Sequence, residues 1–292
     1  MKPAPFSYVR PMTVEEALSA LAQQGDEAKV LAGGQSLIAM MNLRLLKPRC
    51  LVDINRVAAL DYIRQDNGTL AIGALTRQSA AETSPLVVQH CPLMTEAIQY
   101  IAHRPIRNRG TIGGNLAHAD PTSELPAVAV ATDATFVVRS AKGQRTIPAA
   151  DFFVGHLTSA LRPDELLTEV RVPPWRPVGQ GWSFMEVSPR KGDYALVGVA
   201  ATLQVKDGAC QAARLVYNGV AGRAQRVPEA ERALVGRNAD EAAFREAASI
   251  ASQRVDPHSD FHATAAYRRD LVNTLTRRAL AQALARCGKR SA

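Results

Sequence analysis

Aromatic residues are scarce in this chain, at 5% of 292 positions, and none is interleaved with basic residues. That excludes a base-stacking platform for single-stranded nucleic acid. Cysteine is limited to Cys50, Cys91, Cys210 and Cys287, with no two close together. No C-x-x-C spacing exists, so a zinc or iron–sulfur centre held by this chain is excluded. In a reducing compartment these are ordinary thiols rather than disulfides. No apolar run approaches the ~18 residues of a membrane span. The most apolar stretch, Val30 to Leu46, is broken by Gly33, Gly34, Gln35, Ser36, Asn42 and Arg44. The opening Met1-Lys2-Pro3-Ala4-Pro5 has no apolar signal-peptide core, so a cytoplasmic location is expected.

The standard catalytic and nucleotide signatures are also missing. Gly33-Gly34-Gln35-Ser36 does not fit G-x-G-x-x-G with an acid about twenty residues on. Neither a P-loop Gly-Lys-Ser/Thr nor a Gly-x-Ser-x-Gly elbow occurs. His118 and Asp120 lack a third metal ligand at useful spacing and are expected to be a hydrogen-bonded loop pair. No catalytic residue and no metal site is assigned. The net charge of +8 would suit nucleic acid, but its arginines are spread along the chain. The densest cluster is Arg268, Arg269, Arg277, Arg278, Arg286, Lys289 and Arg290, which reads as a solvated helix face or a surface for an acidic partner.

What is present is a pair of glycine-rich polar loops, Ala32-Gly33-Gly34-Gln35-Ser36-Leu37 and Thr111-Ile112-Gly113-Gly114-Asn115. Glycine pairs permit positive φ and close approach to a ligand. Consecutive N–H groups in such turns form anion-binding nests, and two nests about eighty residues apart would grip one diphosphate from two sides. Ser36 and Thr111 add hydroxyl donors and Asn115 an amide. One Gly-Gly turn alone is usually only a tight turn; two of similar grammar carry the argument.

The periodicities predict an α+β chain of three units. Residues 1–55 read as helix, strand, glycine turn, helix and strand. Thr13 caps the first helix, and the strand pair Lys29–Ala32 and Cys50–Ile54 forms a parallel βαβ unit. Residues 56–174 hold a hairpin about Asn67-Gly68, helices near 78–82, 92–101 and 124–131, and a strand pair about Ala141-Lys142-Gly143. The proline-rich Pro173-Pro174-Trp175-Arg176-Pro177 is a linker. Residues 178–287 read as a hairpin about Lys206-Asp207-Gly208, then helices near 228–235, 240–255 and 262–286. The last carries Ala266, Leu271, Leu275, Leu280 and Leu284 at helical spacing. The tail 288–292 is expected to fray.

Together the two loops, Leu51-Val52-Asp53-Ile54-Asn55 and Arg190-Lys191-Gly192-Asp193-Tyr194-Ala195 resemble the FAD-binding medium subunit of molybdenum hydroxylases, of the carbon monoxide dehydrogenase and xanthine dehydrogenase type. The resemblance spans nearly the whole chain. It implies a two-part FAD-binding α/β domain of the PCMH type, followed by a C-terminal domain of antiparallel sheet and helices. It further implies that Ala32 to Leu37 and Thr111 to Asn115 wrap the pyrophosphate and ribityl chain. Ile101 would line the pocket, Glu124 would hydrogen-bond the cofactor, Leu167 would pack near the dinucleotide, and Tyr194 would lie by the flavin ring. Met185 departs from a lysine that some relatives place against the flavin, which leaves the electron acceptor open. FAD would be the only cofactor of this chain. Molybdopterin and [2Fe-2S] clusters would sit on a large and a small partner subunit, in a dimer of heterotrimers. The function so implied is electron transfer through FAD to an external acceptor. Two other readings stay open: a self-contained flavin oxidoreductase with its own small-molecule substrate, and a non-enzymatic nucleotide- or nucleic-acid-binding module. The stretch after Pro177 reads as a packing sheet with helices rather than a large substrate domain.

Overall fold

A computed structural model describes residues 1–174 and 179–287. Trp175, Arg176 and Pro177 of the expected linker, and the tail 288–292, lie outside the described residues. The chain opens with β1 (Ser7–Val9), α1 (Val14–Gln24), β2 (Ala28–Leu31), α2 (Leu37–Asn42) and β3 (Cys50–Asp53). The strands form a parallel sheet in the order β1-β3-β2, as the βαβ pattern predicts, with Ala28 opposite Cys50. β1 is an unexpected addition: all three of its residues are exposed, so no apolar alternation marks it. Thr13 and Glu16 close a capping box at α1, with Thr13 Oγ1 accepting from the Glu16 N–H at 3.1 Å. Leu18 and Leu21 of α1 are buried with Val52 and Ile54 and with Leu75 and Leu166 from the next unit.

The second sheet begins with the expected hairpin of β4 (Ile63–Asp66) and β5 (Thr69–Gly73), where Asn67 and Gly68 both take positive φ, at 48° and 84°. A run of short helices follows: α3 (Gln78–Thr83), α4 (Pro85–His90), α5 (Pro92–Ile98), α6 (Arg104–Arg107), α7 (Ile112–His118) and α8 (Glu124–Ala131). Then come β6 (Thr135–Ser140), β7 (Gly143–Pro148), α9 (Ala149–Phe152), the small pair β8 (Phe153–Gly155) and β9 (Thr158–Ser159), and β10 (Leu166–Val172). The order β4-β5-β10-β6-β7 is antiparallel throughout and puts β10 at its centre. Sequence patterning did not reveal β10, because Thr168 and Glu169 interrupt its apolar run although both are buried. Each is satisfied: Thr168 Oγ1 donates to the Val137 carbonyl, and Glu169 accepts from Tyr62, Arg64 and Arg171.

The third sheet has β11 (Gln180–Val187), β12 (Val197–Lys206), β13 (Ala209–Asn218) and β14 (Gln225–Arg226) in that order, antiparallel. α10 (Pro228–Arg232) and α12 (Ala265–Arg286) pack on it, and α11 (Glu241–Arg254) packs on those two helices. Apart from Glu124 at its start, α8 is apolar all round, and every one of its residues is buried, because it packs between α5 and strands β12 and β13. On α12, Leu275 and Leu280 are buried and Leu271 and Leu284 partly so, whereas Ala266 is exposed.

The basic face expected on that helix is largely spent within the chain. Arg268 is buried, donating to the Leu196 and Gly219 carbonyls at 2.5 and 3.2 Å and pairing with Asp260 at 2.7 Å. Arg269 pairs with Asp256, Arg277 with Glu241 and Arg286 with Glu96. Lys289 and Arg290 lie outside the described residues.

Candidate functional site

The first glycine loop sits at the carboxyl end of β2, where open α/β sheets bind ligands. Gly34 has φ +75°, the left-handed conformation that favours glycine. Among the described residues, no N–H from Gly33 to Leu37 donates to an acceptor in the chain, and the run leads into α2. Ser36 occupies the cap position of α2 without making a capping bond, so its hydroxyl is also uncommitted. Leu37 is the first helical residue. The Gln35 amide folds back on the Gly33 carbonyl at 3.2 Å. Beside the loop lies an open groove of about 430 Å³, lined by Leu31 to Gln35, Ile38, Ala39, Asn42, Asp53, Asn55 and Arg109.

The second glycine pair is built differently from the expected nest. Gly113 and Gly114 lie in the first turn of α7, and neither has positive φ. The N–H groups there are committed: Ile112 donates to the Thr76 carbonyl and Gly113 to the Ala74 carbonyl, both at 2.9 Å, and Gly114 to Thr111 Oγ1 at 3.0 Å. Thr111 is thus the N-cap of α7. These glycines serve close packing. A Cβ on Gly113 would come within 2.5 Å of the Ala74 Cβ, and one on Gly114 within 2.6 Å of Thr111 Oγ1 and 3.6 Å of the Ala32 Cβ. Gly33 meets the backbone of Arg109 and Gly110 in the same way. Ala32, Gly33, Gly114 and the Arg109–Gly110 turn are therefore one contact, and the two loops are brought together as the sequence argument requires.

A polar chain that the sequence argument did not assign to the site staples them. Asn55 Nδ2 donates to the Ala32 carbonyl at 2.8 Å and to Asp53 Oδ1 at 2.6 Å. Arg77 donates to Asn55 Oδ1 at 2.7 Å and to the Arg109 carbonyl at 2.5 Å, so one guanidinium spans both loops. Asp53 also accepts from the Tyr8 hydroxyl and lies 3.9 Å from Arg10. Burial disfavours the Asp53 carboxylate, but the Tyr8 and Asn55 hydrogen bonds outweigh it and its pKa is lowered. Asp53 and Asn55 had a signal, the carboxyl end of a parallel strand. Arg77 had none, because its role exists only after the second sheet docks on the first.

Further along α7, Asn115 Oδ1 accepts from the Ser123 hydroxyl at 2.9 Å, and that hydroxyl lies 3.4 Å from Glu124 Oε2. Among the described residues the Asn115 amide nitrogen has no acceptor, while its Oδ1 is taken by Ser123. Glu124 is buried at the start of α8. Tyr194 is 75% exposed, in the segment after β11. Partial enclosure of its phenol, with the Asp120 and Glu124 carboxyls, raises its pKa. A Cβ on Gly192 in that segment would come within 2.8 Å of the Ala102 carbonyl, so the segment leans on the turn that follows Ile101. Ile101 and Leu167 are themselves buried in the large central core, Leu167 on β10. Met185 on β11 packs against the core of the third unit. Asp120 accepts from the Thr122 N–H and hydroxyl at 2.9 and 2.7 Å rather than pairing with His118 as expected.

These residues fit FAD on structural grounds. A free N–H run with a spare hydroxyl suits a diphosphate, and the packed glycines keep Cβ atoms out of the contact between the loops. Residues 4–175 match the family described as the FAD binding domain in molybdopterin dehydrogenase, and residues 182–283 the CO dehydrogenase flavoprotein C-terminal domain. The chain is 45% identical to the 6-hydroxypseudooxynicotine dehydrogenase complex subunit alpha of Paenarthrobacter nicotinovorans, over 98% of this chain and 97% of that one. It is 37% identical to the carbon monoxide dehydrogenase medium chain of Hydrogenophaga pseudoflava, over 98% and 100%. The solved carbon monoxide dehydrogenase of that organism superposes with a TM-score of 0.96 over 99% of this chain and all of its own, at 39% identity. Quinoline 2-oxidoreductase from Pseudomonas putida 86 superposes at 0.94 over 99% and 100%, at 37% identity. The chain belongs to the FAD-binding flavoprotein subunits of the molybdopterin dehydrogenase family.

Proposed function

We propose that this flavoprotein subunit holds FAD with its diphosphate on the Gly33–Leu37 N–H run and its ring system toward Tyr194. It would receive electrons from iron–sulfur clusters on a small partner subunit and pass them to an external acceptor. Substrate would be oxidised at a molybdopterin centre on a large partner subunit. The observation that carries this reading is the uncommitted N–H run and Ser36 hydroxyl in backbone contact with the Arg109–Gly110 turn. When bound, FAD supplies the ability to exchange single electrons with a cluster and pairs of electrons with an acceptor. This chain's own residues orient it. Arg77 and Asn55 set the spacing of the two loops, Thr111 holds the first turn of α7, and Asn115 presents an amide donor beside Glu124.

The same reading divides the chain into units 1–55, 56–174 and 178–287. It places the assembly in the cytoplasm as a dimer of heterotrimers; no described helix is long and apolar enough to cross a membrane. The test is to purify the chain with and without its partner subunits. The protein should be yellow, and acid should release all the flavin. Substrate should reduce the flavin only in the complex. A colourless complex, or reduction by an organic substrate in the isolated chain at the rate of the complex, would overturn the reading.

A further inference from the structure

Of the residues that line the groove beside the first glycine loop, two carry charge, Asp53 and Arg109. Asp53 is buried and spent: it accepts from Tyr8 and Asn55 and lies 3.9 Å from Arg10. Arg109 is exposed, and among the described residues no carboxylate or carbonyl takes its guanidinium. Its main chain, by contrast, is held at every polar group. The Arg109 N–H donates to the Ile106 carbonyl at 3.1 Å, and its carbonyl accepts from Arg77 at 2.5 Å. Gly110 beside it donates to the Ile106 carbonyl at 2.7 Å and accepts from the Gln78 N–H at 2.9 Å. The turn fixes the Arg109 backbone against Gly33, at the wall of the groove, and leaves only the side chain uncommitted.

The other wall of the groove offers donors of the same kind. The N–H groups from Gly33 to Leu37 and the Ser36 hydroxyl have no acceptor in the described chain. A groove with free donors on one loop, a free guanidinium on the other and no free carboxylate suits an anion of more than one charge. Arginine fits such an anion well, because its planar fork meets phosphate oxygens two at a time. The arrangement also puts two cations near one another. Burial, and then the charge of Arg109, lower the pKa of Arg77, whose guanidinium holds the Arg109 carbonyl. An anion seated against the turn would offset that repulsion.

We propose that Arg109 is the cation of the diphosphate subsite and that it selects the dinucleotide FAD over riboflavin, which lacks the diphosphate. This rests on the reading above, which puts the FAD diphosphate on the Gly33–Leu37 run. The two loops then grip one diphosphate from two sides with unlike groups. The first supplies backbone N–H donors and a hydroxyl. The second supplies a side-chain charge, because the N–H groups of its own glycines are committed to Ala74 and to Thr111.

Titration calorimetry of the flavin-free full chain with FAD, ADP and riboflavin as probes tests the assignment. Arg109→Gln should weaken FAD and ADP by about tenfold or more, the worth of one hydrogen bond to a charged group, and leave riboflavin affinity unchanged. Arg109→Lys should recover part of the loss. Lys47→Gln removes the same charge from an exposed position outside the groove lining and should leave all three affinities at the wild-type value. Added salt should weaken ADP more steeply in wild type than in Arg109→Gln. Urea midpoints of the flavin-free variants should match wild type, since the side chain has no partner to lose. Equal ADP affinity in Arg109→Gln and wild type, or a riboflavin loss as large as the ADP loss, would overturn the proposal. A wild-type chain that binds ADP but no FAD would instead sink the flavin reading, and the ADP arm would still decide whether Arg109 holds the diphosphate.

Discussion

A Cβ on Gly33 would stand 2.4 Å from the carbonyl oxygen of Arg109 and 2.9 Å from the Gly110 Cα, so the two glycine loops touch backbone to backbone. The Arg109 carbonyl is also the acceptor for Arg77. Gly33 is therefore small because the second loop presses on it, not because its own φ demands glycine. Gly34 is the reverse case: it has the positive φ, and an added Cβ would meet only the Leu31 and Ile38 side chains, each at 3.2 Å.

This separates two neighbouring substitutions. Gly33→Val should force the loops apart and abolish flavin retention while leaving the third unit folded. Gly34→Ala should keep most of the flavin and lower stability by about 1–2 kcal/mol, the strain of a left-handed non-glycine residue. The flavin-to-protein absorbance ratio and circular dichroism of both variants give the answer. Full flavin occupancy in Gly33→Val would mean the loop contact does not shape the site.

Ser36 and Thr111 look equivalent in sequence, and the fold makes them unequal. Ser36→Ala removes an uncommitted hydroxyl and should weaken FAD binding by about 0.5–1.5 kcal/mol with the flavin-free chain as stable as wild type. Thr111→Ala also removes the N-cap of α7 and should destabilise the flavin-free chain by about 0.5–2 kcal/mol. Flavin titration by fluorescence and urea unfolding of the flavin-free proteins measure the two effects separately. Equal loss of stability in both variants would contradict the capping assignment.

Local chemistry made most elements legible. The Thr13 cap, the Asn67-Gly68 and Asp207-Gly208 turns and the βαβ order each follow from a few adjacent residues, and the structure has all of them. Elements whose evidence is tertiary were hidden. β10 buries Glu169 under partners more than a hundred residues away, and β1 has no buried face. The site divides the same way. The glycine loops were visible as motifs, but the second was read as a nest when its N–H groups are committed to Ala74, Thr76 and its own cap. Arg77 carries no motif because its two acceptors, on Asn55 and Arg109, come from different segments.

Arg286 of α12 grips Glu96 of α5 at 2.7 and 3.0 Å and donates to the Trp182 carbonyl at 2.8 Å. The same carboxylate accepts from the Phe184 N–H at 3.1 Å, so one half-buried ion pair ties the last helix and β11 to the second sheet's helices. Arg286→Met should cost about 1.5–3 kcal/mol, the range for charged hydrogen bonds. Urea unfolding followed by two probes, tryptophan fluorescence and far-ultraviolet circular dichroism, should lose its coincidence in the variant. An unchanged midpoint would mean the pair adds nothing to the seam.

Stability should depend on pH with opposite signs on the two flanks. On the acid side, burial opposes ionisation of Glu165, but its hydrogen bonds from Arg145 at 2.7 and 2.8 Å outweigh that and lower its pKa. Glu169 behaves alike, with burial outweighed by Tyr62 and Arg171. A lowered carboxyl is less protonated in the folded than in the unfolded chain, so its contribution is present above the unfolded pKa and lost as pH falls through the folded one. Glu124 and Glu186 have raised values, chiefly through burial. Their folded forms hold a proton that the unfolded chain has already released, so their contribution is complete below the unfolded pKa and is lost as pH rises through the folded values. Between those limits the wild type should weaken steadily with rising pH. Glu186→Gln, which has no proton to lose, should flatten that alkaline flank and leave the acid flank unchanged. Urea midpoints measured across the pH range on the flavin-free chain check both signs. An alkaline slope identical in the two proteins would show that Glu186 ionises in the folded chain as freely as in the unfolded one.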